Sequence, residues 1–162
     1  MKEKELSDYA GLVAYALASG EESISLENKD RDHARALISQ IIGSARESIT
    51  ILCHRLARDV YGSREVASAL IKAYLNNPNL RCKVYLREKP QITPFLMILA
   101  NHGVLPVTLD KEVKMGDILV VDGESGREES DPESRIATGI IRNKAWAAQA
   151  LQKLEDVVRL AV

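Results

Sequence analysis

A chain of 162 residues suits one domain and is large enough to bury roughly 70% of the surface its unfolded form exposes. Hydrophobic residues make up 46% and charged residues 28%, the balance of an ordinary globular protein, and with only 4% aromatics the core must be mostly aliphatic. A formal net charge of −1 excludes attachment to nucleic acid by bulk charge alone and leaves only a local basic patch.

The opening "MKEKELSDYA" is too charged for a signal peptide, and no apolar run approaches the ~18 residues of a membrane span. Cys53 and Cys82 have no zinc or redox spacing and each sits in an apolar stretch, so both read as buried free thiols of a reducing, cytoplasmic compartment. Leu6 to Ala18 reads as a helix ended by Ser19-Gly20, and Ser23 to Glu27 as a short strand. Together they form an N-terminal segment, residues 1–29, ahead of an α/β domain over 30–162. The next helix is the clearest. It is capped by Asp30 and carries Ala34, Leu37, Ile38, Ile41, Ile42 and Ala45 at helical spacing. "SITILCHRL" follows as a buried strand, then a helix from Ser63 to Asn77-Pro78.

"LRCKVYLRE" alternates, with Leu80, Cys82, Val84 and Leu86 on one side and Arg81, Lys83, Tyr85 and Arg87 on the other. Thr93-Pro94 opens a third helix that ends at Gly103. "VLPVTLD" and "DILVVDG" read as strands, "GESGREESDPES" as a polar acidic loop, "RIATGII" as a strand, and "NKAWAAQALQKLEDVVRLAV" as the closing helix with Trp146, Ala150, Leu154 and Val157 on one stripe. Alternating helices and strands imply a mixed, mostly parallel sheet with helices on both faces. The last three strands, with no helix between them, imply an antiparallel part. "SITILCHRL" and "DILVVDG" are the most apolar runs and are expected as adjacent central strands.

This order resembles a single domain of the phospholipase D superfamily from Asp30 onward. "ARESITILCHRL" is similar to that family's first core strand, "REVASALIKAYLNNPNLRCKVYL" to its next helix–strand unit, and "ILVVDG" to the second half of its H-x-K-x-x-x-x-D motif. With Asp122 as the aspartate, the nucleophilic histidine's place falls on Met115 and the phosphate-holding lysine's place on Asp117. "GESGREES" stands where the family has G-S-x-N. The resemblance therefore implies the fold without the usual chemistry: a thioether cannot attack phosphorus and a carboxylate repels a phosphodiester. Losing a nucleophile alone costs on the order of 10⁶ in rate. The family's two-motif arrangement further implies a homodimer.

His54 stands near the C-terminal end of the first core strand, where open α/β sheets bind ligands and where the family usually has an aromatic residue facing the cleft. With Arg55 and Arg58 it is a candidate phosphate-binding group, against the alternative of a strand-end histidine bonded to backbone. Asp122 completes the candidate ligand set. His33 reads as solvent-facing, and His102 as a helix-end residue bonding terminal carbonyls. "DVYGSR" (Asp59 to Arg64) reads as a helix cap that an anion could also use. Arg81, Lys83, Tyr85 and Arg87 form a candidate nucleic-acid face, with Tyr85 stacking on a base, or else a charged edge strand that blocks aggregation. The acidic loop 124–133 reads as solvated. No cofactor and no metal site are expected. Two functions remain open: a non-catalytic module binding nucleic acid, another phosphate-bearing ligand or a protein, and a phosphodiesterase or nuclease with a rearranged site around His54.

Overall fold

A computed structural model describes residues 2–56, 59–109, 113–131 and 136–161. The chain runs through α1 (Lys2–Ser19), β1 (Ile24–Asn28), α2 (Arg31–Gly43), β2 (Ser48–Cys53), α3 (Arg64–Asn76) and β3 (Arg81–Leu86). It continues through α4 (Pro94–Asn101), β4 (Val107–Thr108), β5 (Ile118–Val121), β6 (Ser125–Asp131), β7 (Ile136–Ile141) and α5 (Lys144–Ala161). The strands form one mixed sheet in the order β1-β7-β6-β5-β2-β3-β4.

The helices start where the sequence places their caps. Asp30 Oδ1 accepts the His33 N–H at 2.9 Å, Ser63 Oγ accepts that of Val66 and Thr93 Oγ1 that of Leu96. Gly20 and Gly103 follow α1 and α4 with positive φ. α1 to α4 cover one face of the sheet, where Leu37, Ile41, Leu70 and Phe95 meet Ile49, Ile51, Val84 and Leu119. On the other face α5 lays Ala147, Ala150 and Leu154 over Leu52, Ile118 and Val120. β2 and β5 are adjacent, as expected, and are buried on both faces, which is why they read as unbroken apolar runs. β1 joins the same sheet through β7, and α1 packs on α2. The Arg142 guanidinium fixes α1 from its C-terminal end, donating to the carbonyls of Ala16, Leu17 and Glu21.

The sheet departs from expectation in its balance. Only β2–β3 and β3–β4 run parallel, and the other four pairings are antiparallel. The cause is the segment expected as an acidic loop at 124–133. Its Ser125–Asp131 part is β6, an interior strand between β5 and β7, while residues 132 and 133 lie outside those described. The polar sequence is held as an interior strand because its side chains are bonded across elements: Arg127 Nε donates to Asn28 Oδ1, Trp146 Nε1 donates to Glu128, and Ser125 Oγ accepts the Arg142 N–H. "VLPVTLD" shrinks to the two residues of β4, so Arg81 to Val84 of β3 keep an open edge. His33 is not free in solvent; its ring stacks on Tyr9 at 4.0 Å. Cys53 is buried, but Cys82 is only half-buried and accepts the Tyr74 hydroxyl.

Candidate functional site: a charged cleft at the strand ends

A cleft of about 640 Å³ opens at the C-terminal end of β2. One wall is the start of α2, with Asp30, Arg31 and Ala34, and the other is the β2–α3 connection, with His54, Arg55 and Asp59. The floor is polar. Asn28 and Arg127 lie on one side of it and Glu129, Asp117 and Arg87 on the other. Strand alternation places Arg127 and Glu129 on the same face of β6, toward α2, while Glu128 points to α5.

The floor is a chain of bonds. Arg87 reaches Asp117 Oδ1 at 2.5 Å with one terminal nitrogen and bonds the Met115 carbonyl with the other. The Asp117 N–H donates to Glu129 Oε1 at 3.1 Å. Gly116 lies so close to the Glu129 backbone that a Cβ there would stand 2.5 Å from its carbonyl oxygen. At the rim, His54 Nε2 faces Glu88 Oε2 at 3.4 Å, Arg31 pairs with Asp59 and Lys29 with Glu27. The Arg55 Nε is buried with no partner.

Cys53 lines the cleft, but burial and then the nearby Asp117 hold its thiol far above its ordinary pKa. Burial likewise pushes the Tyr61 phenol far up. Neither supplies a ready nucleophile. Among the described residues no group of three or more His, Cys, Asp or Glu side chains is arranged to hold a metal ion.

Of the expected ligand residues, His54 and Arg55 line the cleft, and Arg58 lies outside the described residues. Asp122 does not belong to the cleft. It sits beyond the opposite end of β2, where its carboxylate accepts the backbone N–H groups of Arg46, Glu47 and Ser48. The expected nucleic-acid face is divided. Arg81 and Lys83 are exposed on β3, Tyr85 packs half-buried against the α5-side core rather than standing free to stack on a base, and Arg87 belongs to the cleft floor. His102 bonds the Ile98 carbonyl from its ring, as expected of a helix end, and also stacks on Tyr74. Asn28, Arg127 and Glu129 were not among the sequence candidates. The signal for two of them was the Asp122-Gly123 pair after an apolar strand, which marks a hairpin and hence a second strand.

The mixed sheet, with four described helices on one face and one on the other, has a phospholipase D-like fold, as superposition on solved structures shows. The structures it is similar to agree. A phospholipase D family member, Nuc from Salmonella typhimurium, superposes with a TM-score of 0.64 at 17% identity, over 87% of this chain and 97% of that one. NucT from Helicobacter pylori gives a TM-score of 0.58 at 10% identity, over 87% of this chain and 98% of that one. TrmBL2, described as an archaeal chromatin protein with a novel mode of DNA binding, gives 0.61 at 15% identity; the match spans 99% of this chain and 62% of TrmBL2. No protein-family model matches the chain, and no curated protein does. No described helix is long and apolar enough to cross a membrane.

Proposed function

We propose that this chain is a non-catalytic phospholipase D-like module that binds a phosphate-bearing ligand without hydrolysing it. The observation that carries this reading is Asp117. At the place where the resemblance expects a phosphate-holding lysine, a carboxylate lines the cleft and is bonded to Arg87. At the histidine's place, Met115 packs toward the α5-side core. Covalent phosphoryl transfer needs a nucleophile with an available lone pair and a cation on the phosphate oxygens, and these positions supply neither. TrmBL2, which shares the fold and is described as binding DNA, makes nucleic acid the first macromolecule to test. The free cysteines fit a reducing cytoplasm.

One observation favours a second reading, a phosphodiesterase rearranged around His54: the Glu88 carboxylate faces its ring and could orient it. Against it, His33 and His102 are stacked on tyrosines elsewhere, so no second histidine stands in the cleft to protonate a leaving group. The two readings separate in one assay. Wild type and His54→Ala are given bis(p-nitrophenyl) phosphate and single-stranded DNA. No turnover is expected in either protein; turnover in the wild type that vanishes in His54→Ala would establish the second reading instead.

We also propose that the module pairs with a second copy, in keeping with the two-motif arrangement of the family it resembles. Leu105 and Val107 are exposed at the β4 edge, where an apolar contact would bury them. Light scattering at tens of micromolar, a range chosen for micromolar dissociation constants, is expected to report twice the chain mass. A monomer there would refute the pairing.

A further inference from the structure

The cleft holds two guanidinium groups that make no ion pair among the described residues. Arg87 is bonded to Asp117, Arg31 to Asp59 and Lys29 to Glu27. Arg55 makes no side-chain bond or ion pair among the described residues, and its Nε is sealed from water. Arg127 uses Nε on Asn28 and leaves both terminal nitrogens without a partner among the described residues. A half-enclosed guanidinium without an anion gives up hydration for nothing, which disfavours the empty state. Two such forks in one cleft are a receptor for a planar or tetrahedral anion, which each can grip with two parallel bonds.

The acidic groups limit what that anion can be attached to. Asp117 keeps one oxygen free of Arg87, and Glu129 keeps one free of the Asp117 N–H. Across the whole lining, Asp30, Asp59, Asp117 and Glu129 oppose Lys29, Arg31, Arg55, Arg87 and Arg127, close to charge balance. A polymer of phosphates crossing this cleft would meet about as many carboxylates as cations. A small molecule with one phosphate and one donor-bearing end would not. The volume of about 640 Å³ falls within the ordinary small-ligand range of about 300–1,000 Å³.

We propose that the cleft binds a small amphoteric phosphate monoester, with its phosphate between Arg55 and Arg127 and its ammonium or hydroxyl end on Asp117 and Glu129. This deepens the binding reading above and rests on it. Arg127 and Glu129 are then specificity residues supplied by β6, and the substitution of Asp117 for a lysine is what turns the cleft from a polyanion groove into a two-ended pocket.

The test is calorimetric titration at constant ionic strength with inorganic phosphate, O-phosphoethanolamine, and a twelve-nucleotide single strand. O-phosphoethanolamine is expected to bind about tenfold more tightly than inorganic phosphate, the gain of one charge-assisted contact. Arg55→Met is expected to weaken both by about tenfold or more. Should Arg55→Met fail to fold, Arg55→Lys, which keeps the charge and loses the fork, is expected to weaken both by a smaller factor. Glu129→Gln is expected to erase the preference for O-phosphoethanolamine. No heat with either phosphate compound, or binding undiminished in the Arg55 variants, overturns the proposal. So does an oligonucleotide that binds more tightly than both and ignores the cleft substitutions, an outcome that leaves the non-catalytic reading standing. Slow release of inorganic phosphate from O-phosphoethanolamine, with the Arg55 effect intact, supports the subsite while sinking the non-catalytic reading.

Discussion

Replacing Asp122 with alanine is expected to destabilise the protein by about 2–4 kcal/mol and lower Tm by roughly 5–15 °C. The Asp122 carboxylate accepts the N–H groups of Glu47 at 2.8 Å and Ser48 at 3.0 Å, with Arg46 shared between its two oxygens. These donors lie where α2 gives way to β2, and no helical or strand partner competes for the carboxylate. Hydrogen bonds to a charged group contribute about 1.5–3 kcal/mol each, discounted here because part of the carboxylate meets water. The backbone adds a second loss. Asp122 has φ +55° and Gly123 φ +64°, the two left-handed positions of the β5–β6 turn, closed by the Glu124 N–H on the Val121 carbonyl. Aspartate and asparagine tolerate that conformation, whereas alanine pays about 1 kcal/mol or more. Asp122→Asn keeps the turn and one acceptor, and should lose about half as much. A Tm for Asp122→Ala within about 2 °C of wild type would sink this account. The aspartate that the resemblance marks thus serves the fold, at the end of β2 away from the cleft.

How legible all this was depends on where each residue finds its partners. The helices could be read because their caps and apolar stripes are local: Asp30, Ser63 and Thr93 each accept an N–H three residues on. The β2–β5 pair could be read because burial on both faces leaves an unbroken apolar run. β6 could not be read by periodicity, because both of its faces carry charge. Arg127 meets Asn28, 99 residues away in sequence, and Glu128 meets Trp146 on α5. No window of local sequence contains those partners. The place of the cleft followed from a general rule about strand ends, and that rule brought His54 and Arg55 to it. It did not bring Asp122, whose position in the motif says nothing about which end of β2 it faces. Tyr85 shows the same dependence on distant partners. Alternation gave its side of the sheet correctly, but only the path of α5 and its neighbours decides that this side is packed.

Gly126 ties the fold to the site. It pairs with Val120 on β5 and Ile140 on β7, and a Cβ on it would overlap the Leu119 carbonyl and stand 2.9 Å from the Trp146 ring. Neither obstacle yields cheaply. The carbonyl belongs to an interior strand, and the indole is held by its bond to Glu128 at 2.7 Å. Gly126→Ala is therefore expected to cost at least about 3 kcal/mol, the upper end for overpacking, and a folded fraction should show Trp146 fluorescence shifted to the red. Arg127 follows directly, and Glu129 two residues later, so whatever folds should also lose phosphate binding in the cleft. Gly11 is the control. It lies in α1 with nothing within 4 Å of its would-be Cβ, so Gly11→Ala is expected to stabilise by about 0.5–1 kcal/mol through helix propensity. The two substitutions add the same methyl group, so opposite signs would isolate packing at β6 as the cause. Stability of Gly126→Ala within about 0.5 kcal/mol of wild type, a margin typical of uncrowded surface sites, would refute the close packing of β6 on Leu119 and Trp146, and the cleft floor built on Arg127 and Glu129 would fall with it.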